Sequence, residues 1–504
     1  TQELIDLRFA FIEGTPPRDV HDVSPIWENF RSYNYEQMAT DVVLSAMPTV
    51  LSDTSEMFKI KTRLSGHGQV GDAACCEWAP KDHQIIIDGV PRFTWNIWRE
   101  TECGSNPNTG QGGTWPYARE GWCPGDVVVE YDHELTSFVT PGDTIAIDYD
   151  INDVPANDPG QAGGNYIAAL DLVSYSAPNF QHDAAIVDVL NPNKWEYYSK
   201  WNPTCSNPRI ILQNTGEQPL TNCKIRCWVT YGNWLEYEWN GNLAFLEKEV
   251  VEIPVTDQNW WFGATTTDGF YAQVYDIENT PNLDEYAQNN VFKTAYQAPE
   301  MINGQFYVYF KTNNKAVENQ WKLVDGNGTT IFERTSLLNT TEYRDTFDLA
   351  PGCYSIILED SDQDGIGFWY SSQVEGETSG QFRLRYVGAG VIESFNTDFG
   401  KYHRYDFSVG FALNTDNKGM LDESLQLFPN PATDEVHVEY NGQLGKEVTI
   451  TLRDANGRVL KETKAQSEGN YLGVDLQIAD LSKGLYYVTA SGSEGTKVSP
   501  FVKQ

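Results

Sequence analysis

Positive charge is scarce in this sequence: 35 Lys+Arg stand against 71 Asp+Glu, a formal net charge of −36. A nucleic-acid binder needs a basic face to displace counterions from phosphates, so that class is excluded. Long apolar runs are missing too. The best stretches, Asp41–Leu51 and Gln84–Val90, are short and interrupted, well under the roughly 20 residues of a membrane-spanning helix, and no transmembrane segment is expected. Methionine is limited to 5 residues and cysteine to 8, with no Cys-x-x-Cys pair. An even number of cysteines without metal-type spacing fits disulfides in an oxidising, extracytoplasmic setting better than zinc. The sequence opens at Thr1 without Met or a signal-peptide pattern, which reads as a chain already processed or one that begins inside a longer precursor.

What is plentiful is aromatic and turn-forming: 13% Phe, Trp and Tyr, with 41 Gly and 24 Pro. That composition predicts short strands between turns. At about 150 residues per domain, 504 residues predict about three to four domains. The fold class expected is all-β, a multidomain chain of jelly-roll and Ig-like β-sandwich modules. Turn clusters divide it into residues 1–178, an Ig-like sandwich over 180–298, a further sandwich over 300–411, a polar linker over 412–424 and a last module over 425–504. Cys223, Ile225, Cys227 and Val229 alternate with Lys224, Arg226 and Trp228, as in a half-buried strand. Asp41–Val50 is the one place where a short amphipathic helix is expected.

Three stretches carry chemistry. In the first, Cys103 and Cys123 bracket a loop rich in Gly, Asn and Pro, too irregular to pack without a staple; a disulfide closing a loop of about this size contributes about 3 kcal/mol in the chain-entropy model. Glu77, Trp78, Trp115, Arg119 and Trp122 lie in or beside that loop. Aromatic planes with a guanidinium and a carboxylate are the groups that hold a sugar and an amide, yet the same residues also serve as a buried ion pair inside an aromatic core. Both readings stand at this point. The neighbouring Cys75 and Cys76 are left open between a vicinal disulfide and two buried thiols. Cys205 with Cys223 or Cys227 is one possible bridge, and Cys353 either pairs across a module boundary or stays free.

In the second stretch, Asp360, Asp362 and Asp364 alternate before Gly365. Three hard oxygen ligands on one tight turn predict calcium, against the alternative of a solvated acidic turn. An EF-hand is excluded because its twelfth position is Ser371 rather than Glu. The loop resembles the Asp-rich loops of calcium-bearing β-sandwich modules in secreted Bacteroidota proteins.

The third stretch is the end of the chain, with Leu427-Phe-Pro-Asn-Pro431, an Asp454–Arg458 turn, Leu481-Ser-Lys-Gly-Leu-Tyr-Tyr-Val488 and Lys503. This order of motifs resembles the type A C-terminal sorting domain of the type IX secretion system of Bacteroidota. The resemblance implies export through the outer membrane to the cell surface or medium, with the shuttle or translocon as partner through residues 425–504, and normally removal of this module. Its presence here implies a molecule caught before processing. Residues 425–504 hold 8 Lys+Arg and 10 Asp+Glu, so nearly all the acidity lies ahead of them, in the exported part.

The pattern Cys75-x-Glu77-Trp78, Cys103, Asn106-Pro107, Gly113-x-Trp115, Arg119, Gly121-Trp-Cys-Pro-Gly125 resembles the C-terminal jelly roll of the bacterial peptide N-glycosidase F family. The resemblance covers about residues 1–178. It implies that Glu77 and Arg119 occupy active-site positions and that Cys103–Cys123 is one of the family's disulfides. It also implies an N-terminal jelly roll, bearing the principal catalytic Asp and a second Glu, which would precede Thr1. Where the family pairs the cysteine matching Cys75 with one just after Glu-Trp, this sequence has Ala79 and places Cys76 beside Cys75. The same two-jelly-roll fold carries copper in peptidylglycine monooxygenases, but His67, His83 and His133 lack ligand spacing, and His67 between glycines reads as a turn residue.

Three functions are therefore expected in order. The first is an exported glycan- or protein-binding surface protein with an incomplete glycoamidase-like site. The second is a peptide N-glycosidase-type amidase whose first jelly roll lies upstream or on a partner. The third is a structural component of an adhesin or motility apparatus.

Overall fold

The computed structural model describes residues 14–503 apart from 29, 71–74, 152–163, 194, 196, 197, 199–205, 230–232, 264–268, 296–298, 389, 411–424, 429–431, 442, 443, 455, 456, 468–470 and 494. Two compact units emerge, Thr1–Ala412 and Leu413–Gln504. The multidomain all-β class is observed. Among the described residues the α-helices are Tyr35–Ala39 and Trp369–Val374, a turn or so each, and none is long and apolar enough to cross a membrane.

The first unit contains three pairs of facing sheets. In the first pair, Arg18–Pro25, Asn165–Pro178, Met57–His67 and Glu130–Glu134 lie side by side in that order, with Arg31–Asn34 also paired to Asn165–Pro178. The opposing sheet is ordered Met47–Val50, Thr144–Ile151, Asp82–Ile87, Val90–Asn96. Period-2 burial assigns the faces: Phe58, Ile60, Thr62 and Leu64 from one sheet meet Ile85, Ile87, Ile145 and Ile147 from the other in a shared core. His83 follows the same alternation and is carried inside.

The helix expected over Asp41–Val50 is not there. Asn34 caps the shorter Tyr35–Ala39 helix by accepting from the Gln37 amide, and Asp41 and Leu44 then adopt left-handed φ values of 55°. Met47–Val50 is instead an edge strand on Thr144–Ile151, which takes up the β-branched Thr49 and Val50.

The second pair sets Ala184–Asn191, Arg209–Asn214 and Lys248–Glu252 against Leu235–Leu243, Leu220–Trp228, Gly269–Tyr275 and Val291–Ala295. Cys223, Ile225, Cys227 and Val229 all point into its core. Cys223 and Cys227 are free thiols, so neither bridges to Cys205, which lies outside the described residues. Cys353 is disulfide-bonded and buried in this second core, although its strand, Gly352–Asp360, belongs to the third pair. Its amide donates to Gln258 Oε1 at 3.0 Å, a second tie across that boundary.

The third pair faces Glu300–Ile302, Tyr402–Val409, Gly352–Asp360, Asn319–Asp325 and Thr330–Arg334 against Glu342–Phe347, Phe306–Lys311, Gln381–Tyr386 and Val391–Ser394. Trp321, Phe306, Phe310 and Phe407 fill the space between them. In the second unit, Gln426–Phe428, Glu435–Asn441 and Tyr471–Gln477 face Val459–Gln466, Glu447–Asp454, Gly484–Gly492 and Gly495–Lys503. The expected turn closes a hairpin there, with Asp454 receiving the amides of Gly457 and Arg458.

Candidate functional site

The site is built where two very short strands cross the end of the first sandwich. Cys75–Cys76 pairs with Gln69–Val70, and Glu77 leaves that ladder with its amide on the Gly68 carbonyl at 3.1 Å. Arg119–Glu120 pairs with Trp98–Arg99, and the Glu120 amide donates to the Glu77 carbonyl at 2.9 Å. That backbone bond brings Arg119 beside Glu77. Arg119 Nε donates to Glu77 Oε1 at 2.9 Å; its Nη1 reaches the carbonyls of Tyr117 and Trp115 and its Nη2 the Thr114 hydroxyl.

The guanidinium is further held by ring faces, 4.4 Å from the Trp78 centroid and 5.1 Å from that of Trp122. Burial pulls Arg119 below its ordinary range while Glu77 opposes this. Glu77 keeps 21% of its side chain exposed, and Trp78 and Trp122 are half-buried. A carboxylate edge and two indoles are thus presented together at the surface, with the charge behind them fixed.

Trp122 is placed by two contacts: its Nε1 donates to the Gly66 carbonyl at 3.0 Å, and its ring lies 5.3 Å from that of His67. His67 is not a turn residue; it ends the Met57–His67 strand and bonds the Ser65 hydroxyl. Burial lowers its pKa, against the pull of Glu77. The glycine before Trp122 is required: Gly121 has φ +82°, and a Cβ there would sit 2.3 Å from the Leu64 carbonyl.

Trp115 behaves differently. It is fully buried and presents no ring face to solvent; its Nε1 donates to Asp398 Oδ1 of the third sandwich at 2.9 Å. Of the three tryptophans singled out from sequence, this one packs as core, while Trp78 and Trp122 line the surface with Glu77. The loop carrying it is stapled by Cys103–Cys123, whose Cα atoms are 5.1 Å apart. Cys75 and Cys76 are bonded to each other.

The stapled loop docks on the third sandwich. Lys401 donates its amide to the Gly104 carbonyl at 2.7 Å and Trp369 Nε1 to the Gly113 carbonyl at 2.9 Å. Tyr117 packs edge-on against Phe368 and Tyr370, and its hydroxyl, pushed up to about 12 by burial, is bonded to Ser371. Gly400 permits the approach: a Cβ would lie 2.2 Å from the Gly104 carbonyl and 2.8 Å from the Trp115 ring.

Directly behind this contact lies the Asp-rich turn. Asp360 and Asp364 are buried and Asp362 is exposed. Asp360 accepts from the Asn319 amide and from the Asp364 main-chain N–H, and the Ser371 hydroxyl donates to Asp364 Oδ2. Among the described residues, no three carboxylate, imidazole or thiol side chains form a group that could hold a metal ion by themselves.

Two parts of the chain are similar to known families. Residues 34–173 match the family profile described as the C-terminal domain of peptide-N-glycosidase F, and residues 426–504 match the secretion system C-terminal sorting domain. The second is a type IX sorting tail. The chain is therefore exported by type IX secretion, to the cell surface or medium. Among curated proteins, the peptide-N(4)-(N-acetyl-β-D-glucosaminyl)asparagine amidase F of Elizabethkingia miricola is 28% identical over 182 residues, 34% of this chain and 51% of that protein. The chain thus spans about half the length of that relative. A crystal structure of the same kind of amidase aligns at 23% identity and TM-score 0.28, covering 33% of this chain and 55% of its own. Dimeric latent PorU from Porphyromonas gingivalis aligns at 11% identity and TM-score 0.14, covering 64% of this chain and 34% of its own.

One group in the peptide-N-glycosidase F-like domain escaped sequence reasoning. Glu120 is fully buried behind Arg119, its Oε1 3.1 Å from His83 Nε2 and within reach of the Lys81 amide and the Tyr166 hydroxyl, while Oε2 has no partner. Burial pushes Glu120 up to about 8 and His83 down to about 3. The pair is therefore uncharged near neutrality, with His83 also bonded to Tyr149. Only alternation along the two-residue strand Arg119–Glu120 would have signalled it: if Arg119 meets Glu77, its neighbour must face the other way.

Proposed function

We propose that this exported protein binds N-linked glycans at the glycan–asparagine junction through Glu77, Arg119, Trp78 and Trp122, and that this half-site on its own does not cleave them. The observation that carries the reading is the Arg119 guanidinium, fixed by Glu77 at 2.9 Å and stacked between two half-buried indoles. Indole faces receive the apolar face of a pyranose. The carboxylate edge accepts from sugar hydroxyls or the linking amide N–H. The match of residues 34–173 to the peptide-N-glycosidase F C-terminal domain supports a glycan rather than an unrelated ligand.

Binding without cleavage follows from the chemistry available. Amide hydrolysis needs a group to activate water and one to protonate the leaving amine. Glu77 is committed to Arg119, and Glu120 is buried behind it without access to a substrate. A second reading, an amidase completed by another domain, is favoured by the match covering 51% of the related amidase.

Calorimetric titration of the chain with an N-glycopeptide, followed by mass spectrometry of the peptide, separates the two. Saturable binding, weakened at least roughly tenfold by Glu77→Gln or Trp78→Ala with the glycan still attached, is expected. No binding overturns the proposal. Glycan release that Glu77→Gln abolishes establishes the amidase reading in its place.

A further inference from the structure

The Asp-rich turn of the third sandwich contains more buried negative oxygen than its surroundings satisfy. Asp364 is 1% exposed and Asp360 2% exposed, and Glu377, 5% exposed, lies close enough to feel the charge of Asp364. Glu318 and the exposed Asp362 add to the same cluster; among the described residues Lys315 ion-pairs at its edge, 3.6 Å from Glu318 and 3.7 Å from Glu375. The decisive detail is at single atoms. Oδ1 of Asp364 and Oδ1 of Asn319 are buried and accept no hydrogen bond. These two residues both touch Asp360, through the Asp364 amide and the Asn319 side-chain amide.

Buried oxygens without donors are destabilising, more so when charged, unless something positive meets them. Lys315 is partly exposed and engaged at the rim by two glutamates. A thiol- or imidazole-seeking metal finds no ligand of its kind, since the donors here are carboxylate, amide and hydroxyl oxygens. We propose that Asp360 and Asp364, with the amide oxygen of Asn319, bind a calcium ion, whose remaining ligands are main-chain oxygens and water. Calcium accepts such mixed oxygen shells without strict geometry, whereas magnesium demands a near-octahedral set. Because fewer than three carboxylates take part, the site needs no three-acid cluster. Asp362, the middle residue of the alternating pattern, is not a ligand in this assignment.

The ion has a structural consequence beyond its own loop. Asp364 holds Ser371, Ser371 is bonded to Tyr117, and Trp369 in the same short helix holds the Gly113 carbonyl. Tyr117 and Gly113 belong to the stapled loop that supplies the carbonyl and hydroxyl contacts to Arg119. Calcium in the third sandwich therefore fixes the loop that frames Glu77 and Arg119 in the first. The ion site stands independently of the glycan reading, and its test uses no glycan.

Terbium luminescence on the intact chain tests the site, with Trp369, Tyr370 and Tyr117 close by as sensitisers. Saturable emission displaced by calcium in preference to magnesium is expected. Asp364→Asn and Asp360→Asn should each weaken binding at least roughly tenfold, while Asp362→Asn and the distant Asp348→Asn change it less than about threefold. Absence of saturable emission, or equal loss in Asp362→Asn and Asp364→Asn, overturns the assignment. Hydrogen exchange on the unaltered protein tests the coupling and does not depend on any variant folding. Calcium should slow exchange of amides in the Gly113–Tyr117 segment; unchanged exchange at saturating calcium overturns the coupling.

Discussion

The indole of Trp115 and the carboxylate of Asp398 meet at 2.9 Å although 283 residues separate them in the chain. This bond pins the disulfide-stapled loop of the first sandwich to the third, and the loop in turn fixes Arg119. The geometry of the candidate glycan site therefore depends on a module that contributes no residue to its face. Trp115→Phe keeps most of the buried ring and removes the donor to Asp398; a loss of about 1–2 kcal/mol in chemical denaturation is expected, and Trp115→Ala should lose about 3–5 kcal/mol. Equal stability of Trp115→Phe and the unaltered chain would show that the bond contributes nothing.

Glu120 gives a pH signature. Its folded pKa lies at about 8, above the ordinary carboxyl value of 4.5. The folded state therefore holds a proton that the unfolded state has released between those limits, and this group's contribution to stability falls as pH rises from about 4.5 to about 8. Glu120→Gln removes that dependence. The stability difference between variant and parent should move in the variant's favour by up to about 1.4 kcal/mol per pH unit across the window and level off above it. His83, held down to about 3 in the folded state against an ordinary 6.5, gives the opposite slope below about 6.5, but variant and parent share it and it cancels in the difference. A difference flat from pH 5 to 8 would refute the buried protonated carboxyl.

Cys223 and Cys227 are buried thiols raised by desolvation, so the reactive thiolate is suppressed twice over. Native protein should resist iodoacetamide at both positions, and denaturation without reductant should expose two labelled thiols, located by peptide mapping. Rapid labelling in the native state would contradict the burial.

Removing residues 425–504 should abolish export. The remaining chain should then accumulate on the inner side of the outer membrane, as read by fractionation, whereas residues 425–504 fused to an unrelated carrier should direct that carrier outward. Continued export of the truncated chain would contradict the sorting role.

Much of this was legible because it rests on periodicity and on residue type. The alternation of Cys223, Ile225, Cys227 and Val229 named a buried face, and all four are in the core. Trp228, on the other face, is also covered, because Tyr271 from a strand distant in sequence stacks on it at 5.1 Å and Trp234 meets it edge-on at 4.9 Å. The Glu77 and Arg119 pair was readable from charge complementarity beside tryptophans. What separated Trp115 from Trp78 and Trp122 was docking between sandwiches, a tertiary matter with no signal in spacing. Likewise, alternation of Asp360, Asp362 and Asp364 suggested three equivalent ligands, whereas the turn buries the first and third and leaves the second exposed. The expected helix over Asp41–Val50 gave way to an edge strand because Thr144–Ile151 offered Met47–Val50 a ladder.

The most direct test of the central claim reads the tryptophans themselves. In the full chain, titration with a chitobiosyl-asparagine peptide should shift the indole N–H resonances of Trp78 and Trp122, assigned by single Trp→Phe variants, and leave that of Trp115 in place. Shifts confined to other tryptophans, or none at saturating peptide, would contradict glycan recognition at Glu77 and Arg119.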